Sequence, residues 1–132
     1  MLDALDATAV RRWSRTAVEL LDAHRAEIDA LNVYPVPDSD TGSNLVTTLR
    51  AGDLALAEAT ARTAADALAV LAAGAARGAL GNSGFIVSQI LRGLADCTAD
   101  ELDGAALVAG LDRGAALART AVVTPVEGTV LT

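Results

Sequence analysis

Alanine decides what this chain can fold into: 30 of its 132 residues are Ala, whereas Trp, Tyr and Phe occur once each. Ala is the strongest helix former and a poor strand former, and its methyl group cannot fill a wide gap between layers. Hydrophobic residues make up 52% of the chain, so burial has to come from thin helices that approach closely. The expectation is an all-α fold, an antiparallel helix bundle or barrel, with no strand pattern. By size, residues 1–132 form a single domain.

Periodicity locates the helices. Val10, Trp13, Ala17, Leu20, Leu21, His24, Ile28 and Leu31 recur at three- and four-residue spacing and predict one long helix over 7–31. Asn32 can end it, and Pro35 and Pro37 forbid helix just before them. Ser43 or Asn44 can then cap a second helix reaching residue 58. A third is predicted over 63–76 and a fourth over 83–94. A polar loop follows over 95–103, then a fifth helix over 104–122, in which Gly110 and Gly114 mark a close backbone approach. Pro125 suits the first turn of a sixth.

Charge and composition exclude several functions. The formal net charge is -7, which argues against nucleic-acid or anionic-membrane binding, since both need a basic footprint. All ten basic residues are Arg, so no P-loop lysine or Schiff-base lysine exists. Cys97 is the single cysteine, which leaves no internal disulfide and no thiolate zinc cluster. Asp3 and Asp6 stand where a signal peptide carries positive charge, and the longest apolar run, 67–76, is too short to span a bilayer. A cytoplasmic protein is expected. His24 and Trp13 lie on the apolar stripe and are assigned to packing, Cys97 to a bystander role, and Arg11, Arg12 and Arg15 to a solvated face.

Two loops can carry chemistry. In VYPVPDSDTGSN (33–44), Asp38 and Asp40 stand two apart in a proline-stiffened turn, and paired carboxylates with loop carbonyls suit Mg²⁺. Aspartates also occur in turns because they bond their own backbone, so spacing alone leaves both readings open. In GNSG (81–84), a glycine-rich helix start offers free N–H groups and the positive end of a helix dipole to a phosphate. A plain capping turn would look the same. Jointly, a carboxylate loop for a cation and a glycine-rich start for phosphate are two halves of a nucleotide site. Without lysine, Mg²⁺ would carry much of the phosphate neutralisation, with Arg77 as a candidate helper.

The motifs LNVYPVPDSDTGSN, GNSGFIVSQ and TPVEGTVLT, in this order and at these distances, resemble the DhaL-type nucleotide-binding domain of dihydroxyacetone kinases and of the N-terminus of bacterial fatty acid kinase. The form NVYPVPD-x-DTG with PVEGT is similar to the fatty acid kinase branch; Thr41 stands where the dihydroxyacetone kinase branch usually has His. The resemblance implies a barrel of about eight antiparallel helices, of which about six are expected here, so that the domain is incomplete at its C-terminus. It implies ATP or ADP held by two Mg²⁺ ions, with Asp38, Asp40 and, in the third ligand position, Asn32 as metal ligands. Thr41, Gly42, Asn44, Gly81, Asn82, Ser83 and Thr129 are implied as ATP-binding residues. No further catalytic residue is implied. Ser39 departs from the family, which usually has Gly between the two aspartates.

The implied reaction is transfer of the γ-phosphate to the carboxylate of a fatty acid presented by a DegV-like carrier protein. A dihydroxyacetone kinase subunit and a non-catalytic, regulatory nucleotide-binding domain are the alternatives. A homodimer is left open.

Overall fold

The structure, a computed structural model, describes residues 3–32 and 39–121. The expectations for Pro35, Pro37, Asp38, Thr129 and the helix after Pro125 fall outside these residues. Six helices follow in order: α1 (Ala7–Ala23), α2 (Arg25–Leu31), α3 (Thr41–Glu58), α4 (Ala64–Arg77), α5 (Gly81–Cys97) and α6 (Gly104–Ala121). The all-α expectation holds. It misses only two short strands, β1 (Ala4–Leu5) and β2 (Leu102–Asp103), which pair antiparallel with Ala4 opposite Asp103. Two residues are too few for an alternating pattern to show. The pairing ties the start of α1 to the start of α6.

The long first helix of the sequence reading is in fact two. Asp6 caps α1 by accepting from Ala9 N at 2.8 Å. The helix ends at His24, whose N–H reaches back to Leu20 and Asp22, and α2 restarts at Arg25. The buried residues of α1 are Ala7, Val10, Ser14 and Val18. The predicted stripe is therefore displaced: Trp13, Leu20 and Leu31 are 48%, 56% and 78% exposed. His24 is exposed too and pairs with Glu27 at 3.1 Å rather than packing.

What selects the face is the neighbour. The Ser14 hydroxyl and the Arg15 guanidinium bond Asp53 on α3. Arg11 reaches the far end of α3, where its guanidinium donates to the carbonyls of Leu56 at 2.5 Å and Ala59 at 2.8 Å. Those carbonyls lie at the C-terminal end of α3, where Leu56 O also accepts from the C-cap Ala59 N at 3.2 Å and Arg11 adds a further donor. Arg11 and Arg15 therefore hold α1 to α3, contrary to the expected solvated face, while Arg12 remains exposed.

The core lies among α1, α3, α4 and α5, where Leu49, Leu56, Leu68, Leu71 and Leu91 pack with the buried Ala64, Ala67 and Ala75. Alanines at the contact let helix axes draw close, as composition required. Thr63 caps α4 by accepting from Asp66 N at 3.0 Å. The α5–α6 crossing is close. A Cβ on Gly114 would lie 2.6 Å from Ile90 Cα, and one on Gly110 would lie 2.8 Å from Leu94 Cα. The expected close approach at these glycines is present. Both α3 and α5 begin earlier than predicted, at Thr41 and Gly81, so neither Ser43, Asn44 nor Ser83 is an N-cap. The predicted polar loop is also shorter, because α5 continues to Cys97 and Asp103 belongs to β2.

Candidate functional site

Of the two carboxylates singled out in the proline loop, Asp40 is described. It occupies the N-cap position of α3, yet its side chain makes no capping bond. Something else must satisfy the amides at that end, because the first four N–H groups of a helix have no intrahelical acceptor. The acceptors come from α2. Asn32 Oδ1 accepts from Asp40 N at 3.3 Å, from Thr41 N at 2.9 Å and from the Thr41 hydroxyl. Asp29 Oδ1 accepts from Ser43 N at 3.0 Å, and Asp29 Oδ2 from Ser43 Oγ at 2.8 Å.

Asp29 was invisible to sequence reasoning. It sits one turn before Asn32 on α2, in a position indistinguishable by pattern from any surface carboxylate. Its surroundings favour the ionised form. The Ser43 hydroxyl above all, then the Ser43 and Gly42 amides and the charge of Arg25, hold it below the usual carboxylate range, against an opposing contribution from desolvation.

At the start of α5, Leu80 is the N-cap residue, and its side chain makes no capping bond. Gly81 adopts φ +68°, the left-handed region that favours glycine. The side-chain amide of Asn44 lies directly against it, where a Cβ would otherwise be. One turn further along α3, Thr48 Oγ1 accepts from Leu80 N at 3.2 Å and donates to Asn44 O at 2.7 Å. Gly84 has no room for a Cβ because the Thr48 hydroxyl fills that space.

The two motifs, some forty residues apart in sequence, thus meet at one end of the bundle. Thr41, Gly42 and Asn44 stand on the first turn of α3, and Gly81, Asn82 and Ser83 on the first turn of α5. The two helix starts differ in chemistry. At the α3 start the Asp40, Thr41 and Ser43 amides are held by α2, so that end presents side-chain oxygens. Among the described residues the α5 start has no side-chain cap, and its first turn has no acidic residue, so it offers N–H donors and a positive dipole end. One end suits a cation and the other an anion.

Ser39 adopts φ 58°. The left-handed backbone explains why Gly is the natural residue between the aspartates. Among the described residues, no three His, Cys, Asp or Glu side chains converge as a metal cluster. Asp38 and Thr129 lie outside the described residues, and Asn32 is brought to the loop with its amide oxygen already accepting from α3. A groove of about 240 Å³ between α4 and α5, floored by Ala69, Ala72, Ala73 and Ala76, contains none of the predicted site residues. No helix among the described residues is long and apolar enough to cross a membrane.

Residues 35–132 match the family model of the DAK2 domain. Protein YloV of Bacillus subtilis is 35% identical over 130 residues, covering 97% of this chain and 24% of that protein. An uncharacterized protein of Staphylococcus haemolyticus is 38% identical over 107 residues, covering 80% of this chain and 19% of its own length. Another, from Staphylococcus saprophyticus, is 32% identical over 134 residues, covering 100% of this chain and 24% of its own length. The chain therefore spans no more than about a quarter of these relatives.

Proposed function

This chain belongs to the DAK2-domain family of DhaL-type, nucleotide-binding domains, and on that premise we propose that it is an ATP-dependent kinase domain acting on a carboxylate. Mg-ATP binds between the starts of α3 and α5, and the γ-phosphate passes to a fatty acid presented by a DegV-like carrier protein. The observation that carries the reading is the contact of Asn44 with Gly81, which joins a cation-favouring helix start to a phosphate-favouring one.

In this proposal Asp38 and Asp40 hold Mg²⁺, a pair of ions by the family resemblance. For Asn32 to serve as a third ligand, its amide oxygen would have to exchange the Thr41 hydroxyl for the cation. Mg²⁺ would supply, when bound, much of the neutralisation of the phosphate charge in a chain without lysine. Gly81, Asn82 and Ser83 turn their N–H groups to the phosphates, while Thr41, Gly42, Asn44 and Thr129 flank the nucleotide. The acceptor is an ionised carboxylate, so its oxygen already carries the attacking lone pair and no general base is needed. That oxygen bonds to the γ-phosphorus, the bond to the β–γ bridging oxygen breaks, and ADP and an acyl phosphate result. Catalysis rests on positioning and charge neutralisation. The compartment that fits such a reaction is the cytoplasm.

Calorimetric titration of the full-length protein with Mg-ATP tests the proposal. Metal-dependent binding that is lost in Asp38→Asn and in Asp40→Asn is the expected result; no binding by the folded wild type overturns it. Phosphate transfer to a fatty acid on its carrier, compared with dihydroxyacetone on its partner subunit, then tests the acceptor.

A further inference from the structure

We propose that Asp29 is a positioning residue for the cation end of this site, an inference that rests on the Mg-nucleotide reading above. It contributes in two ways, by fixing the first turn of α3 and by neutralising the positive end of that helix beside Asp40.

The geometric part follows from the contacts. Asp29 on α2 and Asn32, the C-cap residue of that helix, both accept from the start of α3, Asp29 at Ser43 and Asn32 at Asp40 and Thr41. The helices are pressed together at this point. A Cβ on Gly42 would lie 2.6 Å from Arg25 O, 3.0 Å from Asp29 Oδ1 and 3.1 Å from Ile28 Cβ. Gly42 stands two residues after Asp40, so the approach of α2 at this point bears on the first turn of α3 that carries Asp40. Asp29 supplies both acceptors for Ser43, one for its amide and one for its hydroxyl.

The electrostatic part follows from the helix. An α-helix N-terminus carries the equivalent of about half a positive charge. An uncompensated α3 start would repel a cation held by Asp40, the N-cap residue. An ionised carboxylate bonded to the same turn cancels that field without occupying the cation's coordination positions. Asp29 thus permits the same helix start to serve a metal ion, while the α5 start, to which no carboxylate among the described residues is bonded, is left for phosphate.

The test is titration of Mg²⁺ into the full-length protein at saturating ADP, beside ADP binding without metal. Residues that orient metal ligands typically change metal affinity by about 10- to 100-fold when removed. Asp29→Ala is expected to raise half-saturating Mg²⁺ at least about tenfold on that basis, with metal-free ADP binding little changed. Asp29→Asn keeps an acceptor for the Ser43 amide but loses the charge, and should fall between Ala and wild type. Ser43→Ala, which removes one bond and no charge, should have the smallest effect. If Asp29→Ala does not fold, the Asn and Ser43 variants carry the test. Half-saturating Mg²⁺ unchanged in the folded variants overturns the inference, as does an equal loss of metal-dependent and metal-free binding, which would mark a merely structural role. A wild type that binds no Mg-nucleotide overturns the proposed function along with it, whereas a wild type that binds and variants that bind equally well overturn this inference alone.

Discussion

The Ser14 hydroxyl of α1 donates to Asp53 Oδ1 of α3 at 2.6 Å, with the two residues only 2% and 8% exposed. Arg15 adds a bond from Nε to the other carboxylate oxygen at 3.0 Å, but its side chain is 60% exposed and water screens that pair. The buried hydroxyl is the sensitive partner. Without Asp53 it loses the acceptor it has in this structure, and a buried polar group left unmade costs about 1–3 kcal/mol. Asp53→Ala should therefore lower unfolding free energy by about 2 kcal/mol in a urea melt. Ser14→Ala should cost less. A double-mutant cycle should return a coupling of about 1 kcal/mol; additivity would show that the two residues act independently.

This pair also shows what periodicity leaves out of the first helix. A period of three and four residues finds an apolar stripe, and Trp13, Leu20 and Leu31 lie on one. Ser14 is polar and off the stripe, yet it is buried, because an acceptor 39 residues away is waiting for it. No local pattern registers such a partner. The same holds for Asp29 and for Arg11, whose roles exist only once α2 and α1 lie against the ends of α3. Legible in the sequence is whatever a residue type carries by itself: Ala density for the all-α class, Gly110 and Gly114 for a close crossing. The motif residues Asn44 and Gly81 could be named from sequence, but their contact could not be derived from spacing.

Ser39 offers a stabilising change. With φ 58° it sits where an L-residue is disfavoured by about 1–2 kcal/mol. Glycine relieves that strain but adds flexibility to the unfolded chain, worth about 0.5–1 kcal/mol in the opposite direction. Ser39→Gly should leave a net gain of about 0.5 kcal/mol in denaturant unfolding. A loss of similar size would mean that the Ser39 hydroxyl makes a bond more valuable than the strain.

Acid should weaken the α2–α3 clamp, and the sign follows from Asp29. Its pKa in the folded protein is lowered, chiefly by the Ser43 hydroxyl. The folded state therefore binds that proton less readily than the unfolded chain, in which an Asp titrates near about 3.9. The stabilisation is fully present above that value and is lost as pH falls through the lower, folded pKa. Denaturant melts of wild type and Asp29→Asn should differ at pH 7 and converge as pH drops below about 4. A gap that stays constant from pH 7 to pH 3 would assign the difference to packing rather than ionisation.

Gly81 combines a backbone demand with a steric one, and the two can be separated. Its φ of +68° costs any other L-residue about 1–2 kcal/mol wherever it occurs. A methyl group there also meets the side-chain amide of Asn44, which would have to move. Gly81→Ala should thus destabilise by more than the backbone penalty alone, about 2–3 kcal/mol in a thermal or urea melt. Asn44→Ala empties the space in question. Gly81→Ala placed in an Asn44→Ala background should therefore cost only the backbone share, about 1–2 kcal/mol. An equal cost in both backgrounds would place the whole effect in the backbone and show that Asn44 yields freely. If the Asn44–Gly81 contact is the seat of the nucleotide site, both single variants should also weaken Mg-nucleotide binding, and the double variant should regain stability relative to the sum of the singles without regaining affinity.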